Sequence, residues 1–324
     1  MKGRIVYLDN LKSFAILLVV LGHCIQTSFS EDYDNNLLFR YIYSFHMPLF
    51  MCVSGWLSYK TDIRLTKILH RFIQLMIPYF AWGLISACVI GGFSWDLFLH
   101  PDRAGLWFLW ALFFIYAIQV IVEFVSKKIG VKSEIMSAAV AMVLAAIMIV
   151  LKIKLFGFQF IAWYYPFFCM GYYGNKYKSI LRIWGNKIQW PLFVLFLISA
   201  YFWMRKDPPT FMDAGSGTIY NYIYKFIVAV MALISLFSLF RNYVNRRIRF
   251  LTTLGTYTLG IYAVHQPIMH LIEDNIYPLS GSPLTPALYA AVMFLVLMAV
   301  SISLCMLLSR NKYMNGLLFG KWKY

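Results

Sequence analysis

The sequence predicts an all-α, polytopic membrane helix bundle with about ten transmembrane helices and with both the N and the C terminus in the cytoplasm. The 324 residues are 61% hydrophobic and only 13% charged, whereas a soluble domain carries roughly 25% charged residues. The apolar residues fall into long runs, and the segments between these runs alternate between rich and poor in Lys and Arg. A water-soluble globule is excluded, and we expect one integral membrane domain over residues 1–324.

Apolar runs mark the individual elements, because a membrane-spanning helix needs about 20 mostly apolar residues. Ten segments meet this condition, near 8–29, 37–59, 68–91, 106–125, 134–151, 156–174, 189–204, 219–240, 251–272 and 285–308. The first segment follows Lys2 and Arg4 as a signal peptide would. It contains Lys12 and His23 and lacks a small-residue cleavage site, so we expect it to be retained.

Charge distribution gives the orientation, because cytoplasmic loops are enriched in Lys and Arg. With the N terminus inside, the inner segments hold 21 of the 29 basic residues, and the outer loops hold only Arg103, Lys152, Lys154, Arg205 and Lys206. The short outer loop with Lys152 and Lys154 is a misfit, and a re-entrant segment there would change the count of spans. The net charge of +16 lies in short loops, which favours membrane lipids over nucleic acid as partners.

Ionisable residues within a span are functional candidates, because they are costly in hydrocarbon. The first span carries Asp9 and Lys12, which are three residues apart and are expected to pair on one helix face. His23 lies roughly 16 Å further along and close to the same face, so it can line the same cavity. A neutral imidazole can accept a proton, which makes His23 a candidate general base. The alternative is a histidine that is hydrogen-bonded to a neighbouring helix.

Other candidates lie at a similar depth in other predicted spans. His46 precedes Pro48 and can share a site with His23, or it can bond the carbonyl that the proline frees in a kinked packing helix. His265 is a candidate substrate-binding residue, or an interfacial histidine near a helix end. Trp107, at the outer start of the fourth span, either binds substrate or belongs to an aromatic belt.

A basic segment precedes the third span on the predicted inner side. Arg64, Lys67 and Arg71 stand there at helical spacings. Guanidinium and ammonium groups bind phosphates, of which coenzyme A has several. The alternative is the positive-inside rule itself, together with anionic lipid. The five cysteines lie in apolar segments without the spacing of a zinc or redox motif, and we expect no metal.

Several stretches resemble one known family. The opening LDNLKSFAILLVVLGH is similar to the signature of the acyltransferase 3 family, a basic residue and a histidine separated by ten residues; Lys12 departs from the commoner Arg. FHMPLFMCVSGW resembles the FHMPLFF-x-ISG stretch of the fucose 4-O-acetylase-like branch. RFIQLMIPY, LWFLWALFF, LGIYAVHQPI and LLFGK extend the resemblance over essentially the whole chain.

This resemblance implies a ten-span helical bundle that uses acyl-coenzyme A from the cytoplasm to modify sugars outside or at the membrane. We therefore predict a membrane-bound O-acetyltransferase of the bacterial inner membrane, with acetyl-CoA as co-substrate, a glycan or lipid-linked sugar as acceptor, and no metal. The predicted site comprises catalytic His23 and His46, donor-binding Lys12, Arg64, Lys67 and Arg71, and substrate-binding Asp9, Trp107 and His265.

Two hypotheses from other classes stay open. A secondary transporter or flippase for a lipid-linked sugar would use the intramembrane His and Lys for proton coupling and binding. Paired spans interrupted by Gly or Pro in matching halves would favour it, and the sequence shows no convincing pair. A polymer-assembly accessory protein without chemistry of its own is the third hypothesis.

Overall fold

A computed structural model of the chain describes residues 5–61, 64–90, 99–101, 105–206, 217–273 and 284–322. Within these ranges the regular structure is helical and no strand occurs. Ten described helices are at least 19 residues long and overlap the ten predicted spans: α1 (Val6–Ser28), α2 (Leu37–Ser58), α3 (Thr66–Ile90), α4 (Trp107–Ile129), α5 (Ser133–Leu151), α6 (Phe158–Lys176), α7 (Lys178–Tyr201), α8 (Gly217–Tyr243), α9 (Arg249–Glu273) and α10 (Leu284–Leu308). A shorter helix, α11, covers Lys312–Phe319.

Six helices of the described part are long and apolar enough to cross a membrane, namely α1, α3, α4, α5, α8 and α10. This confirms the predicted all-helical fold for the described residues and identifies six candidate membrane spans. The count of ten crossings and the cytoplasmic position of both termini stay predictions.

Helix α7 begins eleven residues before the seventh predicted span, which was placed at 189–204. The added turns carry Lys178, Arg182 and Lys187, and all three residues are exposed. A search for apolar runs stops where charges begin, although the helical backbone continues through them. The helix therefore extends beyond the predicted span at its N-terminal end.

The fifth and sixth predicted spans are two separate helices, α5 and α6. Lys152 and Phe156, in the turn between them, have positive φ angles of 50° and 55°, an uncommon backbone conformation for residues other than glycine. Trp110 of α4 donates its Nε1–H to the Phe156 carbonyl at 2.8 Å. This turn is thus anchored to a neighbouring helix.

The chain divides into two compact units. Unit 1 comprises Met1–Phe50, Tyr177–Tyr262 and Ile272–Ile302, and unit 2 comprises Met51–Lys176, Ala263–Leu271 and Ser303–Tyr324. In unit 1, α8 packs against α7 and α1. In unit 2, α4 packs against α3, α5 and α6, and α11 packs against α3. The prediction of a single domain over residues 1–324 stays a prediction.

A buried asparagine ties α1 to the turn after α8 within unit 1. Asn10 is fully buried, and its Nδ2 donates to the carbonyls of Val244 at 2.7 Å and Arg246 at 3.0 Å. These carbonyls follow the end of α8, where no helical N–H reaches them. Asn10 therefore fixes the first helix against the α8–α9 turn.

Helices α2 and α6 cross at very short distance within unit 2. A Cβ atom built on Gly55 would lie 2.0 Å from the Phe168 carbonyl oxygen, and one built on Gly171 would lie 1.7 Å from the Cys52 carbonyl oxygen. Each glycine thus faces the backbone of the other helix. Small residues allow membrane helices to approach in this way.

We predict that Gly171→Ala destabilises the protein by about 3 kcal/mol, because the new methyl group overlaps a backbone carbonyl that cannot rotate away. Thermal unfolding of the detergent-solubilised protein, followed by fluorescence-detected size-exclusion chromatography, measures the effect. Gly130→Asn is the matched control, because a Cβ at Gly130 meets nothing within 4 Å and Asn tolerates the left-handed backbone there. Equal melting of the two variants would contradict the close crossing.

Candidate active site

His23 lies in the last turns of α1 and is half-buried. Its Nδ1 is 3.5 Å from the hydroxyl oxygen of Tyr43 in α2. That hydroxyl donates its own proton to Gln26 Oε1 at 2.8 Å, so it can only accept from His23. A neutral His23 ring that donates Nδ1–H to this hydroxyl would have Nε2 as its basic nitrogen. A partly exposed imidazole of this kind has the features of a general base.

His46 lies one turn after Tyr43 and is only 3% exposed. Its Nδ1 lies 2.8 Å from the carbonyl oxygen of Ile42. Because a carbonyl oxygen only accepts, Nδ1 is again the protonated nitrogen. Pro48 leaves the carbonyl of Ser44, not that of Ile42, without its helical N–H. The structure therefore differs from the alternative in which His46 bonds the carbonyl freed by the proline.

Tyr43 contacts both histidines within unit 1. Its ring centroid lies 6.3 Å from that of His23 and 4.7 Å from that of His46, and both contacts are edge-on. The two histidines therefore share a neighbour, as expected if they belong to one site. No local pattern in the sequence points to Tyr43, because its role depends on how α1 and α2 pack.

Asp9 and Lys12 form the ion pair that their spacing predicts. The Lys12 Nζ lies 2.7 Å from Asp9 Oδ1, and Asp9 is only 7% exposed. The ammonium group of Lys12 thus balances a nearly buried carboxylate within α1. This prediction of a pair is confirmed.

A basic cleft lies in unit 2, between the loop after α2, the start of α3 and the helices α4 and α6. Its lining combines three cations with aromatic and polar side chains: Ser58, Lys60, Arg64, Lys67, Tyr116, Gln119, Val120 and Tyr172. Two predicted donor-binding residues, Arg64 and Lys67, thus belong to one cleft. Lys60 could have been found from its place in the same basic segment, whereas the aromatic lining comes from distant helices.

Arg71 contacts two of the residues that line this cleft. Its Nη2 donates to Ser58 Oγ at 3.3 Å, and its guanidinium carbon lies 5.0 Å from the centroid of the Tyr116 ring. Both contacted residues line the cleft. Arg71 therefore positions two lining side chains and adds a positive charge beside them.

A hydrogen-bond network forms the floor of the cleft. Gln119 is 1% exposed; its Oε1 accepts from Ser137 at 3.1 Å and from Tyr165 at 2.9 Å, and its Nε2 donates to the Tyr173 hydroxyl at 2.9 Å. These partners lie on α5 and α6, so one amide connects three helices. The network fixes the floor, because each broken bond would leave a buried polar group unsatisfied.

The other predicted substrate-binding residues also belong to unit 2. Trp107, at the start of α4, stacks on Phe160 at 4.4 Å and on Tyr164 at 5.1 Å between ring centroids. His265 is fully buried in α9. The described residues contain no group of three or more His, Cys, Asp and Glu that could hold a metal ion.

Comparison with protein families identifies the chain, because a model of the acyltransferase domain matches residues 5–309. The chain belongs to the acyltransferase 3 family. The matched range contains every residue of the predicted site, from Asp9 to His265.

This acyltransferase 3 chain is similar to two nodulation proteins. It is 32% identical over 188 residues to Nodulation protein NolL of Sinorhizobium fredii, covering 52% of this chain and 48% of that protein. It is 30% identical over 213 residues to Nodulation protein NolL of Mesorhizobium japonicum, covering 60% of this chain and 54% of that protein. The chain thus spans about half the length of the curated relatives it matches. No solved structure matches the chain significantly.

We predict that Lys12→Gln lowers the free energy of unfolding by about 3 kcal/mol, because it removes the 2.7 Å ion pair of Lys12 with the nearly buried Asp9 carboxylate. Asp9→Asn combined with Lys12→Gln should restore most of this loss. Thermal unfolding of the purified protein and its variants measures both effects. An equal loss in the single and the double variant would show that the pair does not stabilise the fold.

Proposed function

We propose that the protein is a membrane-bound O-acetyltransferase that transfers an acetyl group from acetyl-CoA to a hydroxyl of a cell-surface or lipid-linked glycan. The family match over residues 5–309 carries this proposal. We further propose that the chain lies in the bacterial inner membrane as a single domain with about ten crossings and both termini in the cytoplasm. The predominance of Lys and Arg in alternate loops supports that orientation.

The basic cleft is the proposed donor site. Lys60, Arg64 and Lys67 offer three cations to the phosphates of coenzyme A, and such charge-assisted hydrogen bonds are among the strongest in proteins. Arg71 and Gln119 keep the walls and floor in place.

His23 is the proposed general base. In the reaction, the acceptor hydroxyl gives its proton to His23 Nε2 while its oxygen forms a bond to the acyl carbonyl carbon. The carbon–sulfur bond then breaks, the electron pair leaves with the sulfur, and the His23 proton is available to neutralise the thiolate. Sugar hydroxyls are weak nucleophiles at neutral pH, so a positioned base contributes about 10²–10⁴-fold.

His46 is the proposed positioning residue beside this base. Its ring is almost fully buried, donates to its own helix and packs edge-on against Tyr43. Through its contact with the Tyr43 ring it helps to hold the hydroxyl that lies 3.5 Å from His23 Nδ1. This role differs from that of a second base, which would need access to the acceptor.

For the remaining predicted residues we propose supporting roles. Trp107, with Phe160 and Tyr164, offers an aromatic surface on which an acceptor can pack. His265, fully buried in α9, stays a proposed substrate-binding residue. Lys12 contributes to donor binding as one half of an ion pair with Asp9, and not as a free ammonium group.

We predict that Arg64→Gln and Lys67→Gln each weaken binding of labelled acetyl-CoA about tenfold, because each removes a charged hydrogen bond worth about 1.5–3 kcal/mol. Equilibrium binding to the purified protein measures this effect. Lys128→Gln is the matched control, since Lys128 is an exposed cation of unit 2 that does not line the cleft. A wild-type protein that neither binds acetyl-CoA nor transfers label to any glycan fraction would favour the transporter hypothesis.

We predict that His23→Ala lowers the rate of acetyl transfer about 10²–10⁴-fold at unchanged acetyl-CoA affinity, because it removes the base but not the donor site. His46→Asn should retain much more activity, since the Asn amide can still donate to the Ile42 carbonyl. Single-turnover kinetics with labelled acetyl-CoA compare the two. An equal loss in both variants would make His46 a second base.

A further inference from the structure

Unit 1, which contains His23, also carries two exposed cations. Arg205 and Lys206 follow α7, and both are exposed. In the described residues, no carboxylate forms an ion pair with either side chain. The Nζ of Lys225 donates to the Arg205 carbonyl at 3.1 Å, which brings a third positive charge close to them. We call Arg205 and Lys206 the outer cation pair.

The backbone of the outer cation pair is held by a buried carboxylate. Asp34 is 6% exposed, and its two oxygens accept from the backbone N–H groups of Arg205 and Lys206, each at 2.9 Å. The carboxylate therefore fixes the position of the two residues without pairing with their side chains. Lys206 Nζ lies 4.8 Å from the centroid of the Tyr33 ring, and within the described part of the chain no carboxylate neutralises either charge.

The Arg205 side chain is itself held in place. Its guanidinium carbon lies 5.0 Å from the centroid of the Tyr43 ring, and its Nη1 donates to Gln26 Oε1 at 2.9 Å. Arg40 provides the contrast within the same unit: its three nitrogens donate to the Asp34 and Tyr201 carbonyls and to Asn35. In Arg205 only Nη1 donates a hydrogen bond to a described residue, namely to Gln26 Oε1. Its Nε and Nη2 donate to no acceptor among the described residues.

The same contacts connect Arg205 to His23. Gln26 Oε1 accepts from both Arg205 and the Tyr43 hydroxyl, and Tyr43 in turn contacts His23. The guanidinium group lies 5.0 Å and the imidazole 6.3 Å from the same Tyr43 ring. A group bound to Arg205 and a hydroxyl at His23 can therefore belong to one short glycan segment.

We propose that the outer cation pair binds an oxyanion of the acceptor, a phosphate or a carboxylate close to the hydroxyl that is acylated. This inference rests on the proposed function and names the class of its acceptor, a charged or phosphate-linked glycan. A guanidinium group binds such oxyanions through two parallel hydrogen bonds. Because Arg205 is fixed before the ligand arrives, little conformational entropy is lost on binding.

Binding of inorganic pyrophosphate tests the site directly. The full chain is placed in phosphatidylcholine nanodiscs with saturating coenzyme A, which occupies the basic cleft, and pyrophosphate affinity is measured by calorimetry. Arg205→Gln combined with Lys206→Gln should weaken binding at least tenfold, and Arg205→Lys should lie between this variant and wild type. Lys154→Gln, in a loop of unit 2 also predicted to be outside, should bind as wild type does. Equal affinity in all four proteins would overturn the proposal.

Acetyl transfer then distinguishes the sources of the oxyanion. The acceptors are a lipid-linked glycan extract of the host cells, either intact or after mild acid has released the phosphate, and each is assayed with labelled acetyl-CoA. The double variant should raise the acceptor KM about tenfold at unchanged kcat. An effect confined to the intact extract assigns a phosphate, and an effect retained after release assigns a carboxylate of the glycan.

Two results separate the possible failures. An effect of the double variant that appears only in phosphatidylglycerol nanodiscs, with pyrophosphate affinity and acceptor KM unchanged, would assign the cations to membrane lipid and overturn the proposal. A wild-type protein that transfers no acetyl group, but still loses pyrophosphate binding in the double variant, would refute the proposed function and leave the anion site intact.

Discussion

Polar side chains in this chain must find their partners inside the protein, because its helices are too apolar to be surrounded by water. Gln119 illustrates the constraint, since a single buried amide accepts or donates in contacts with α5 and α6. Asn10 does the same for α1 and the turn after α8. Each unit is therefore specified less by its apolar residues, which would pack in several ways, than by a few amides and hydroxyls with one satisfactory arrangement.

This constraint separates what the sequence predicts from what it does not. Long apolar runs and their flanking charges are local properties, so the positions of the helices could be read from them. The start of α7 was missed because Lys178, Arg182 and Lys187 interrupt the apolar run but not the helix. The Asp9–Lys12 pair was predicted for the same local reason, since three residues separate the two charges on one helix.

The surroundings of His23 depend instead on long-range packing. Tyr43 and Arg205 are 162 positions apart in the chain, and no periodic pattern relates them. Their contact depends on Asp34, a residue that the sequence places in a loop and the structure buries under two backbone amides. Similarly, Arg64 and Lys67 could be named from the sequence, whereas Tyr116 and Tyr172, which line the same cleft, could not.

The glycine crossing of α2 and α6 also limits the cleft next to it. Ser58 lies one turn beyond Gly55, and Tyr172 follows Gly171 directly, so both lining residues sit beside a contact with no spare space. Two lining residues that are joined this tightly cannot move far apart to admit a larger molecule. We therefore expect the cleft to select its ligands by size, because its opening does not widen to admit larger molecules.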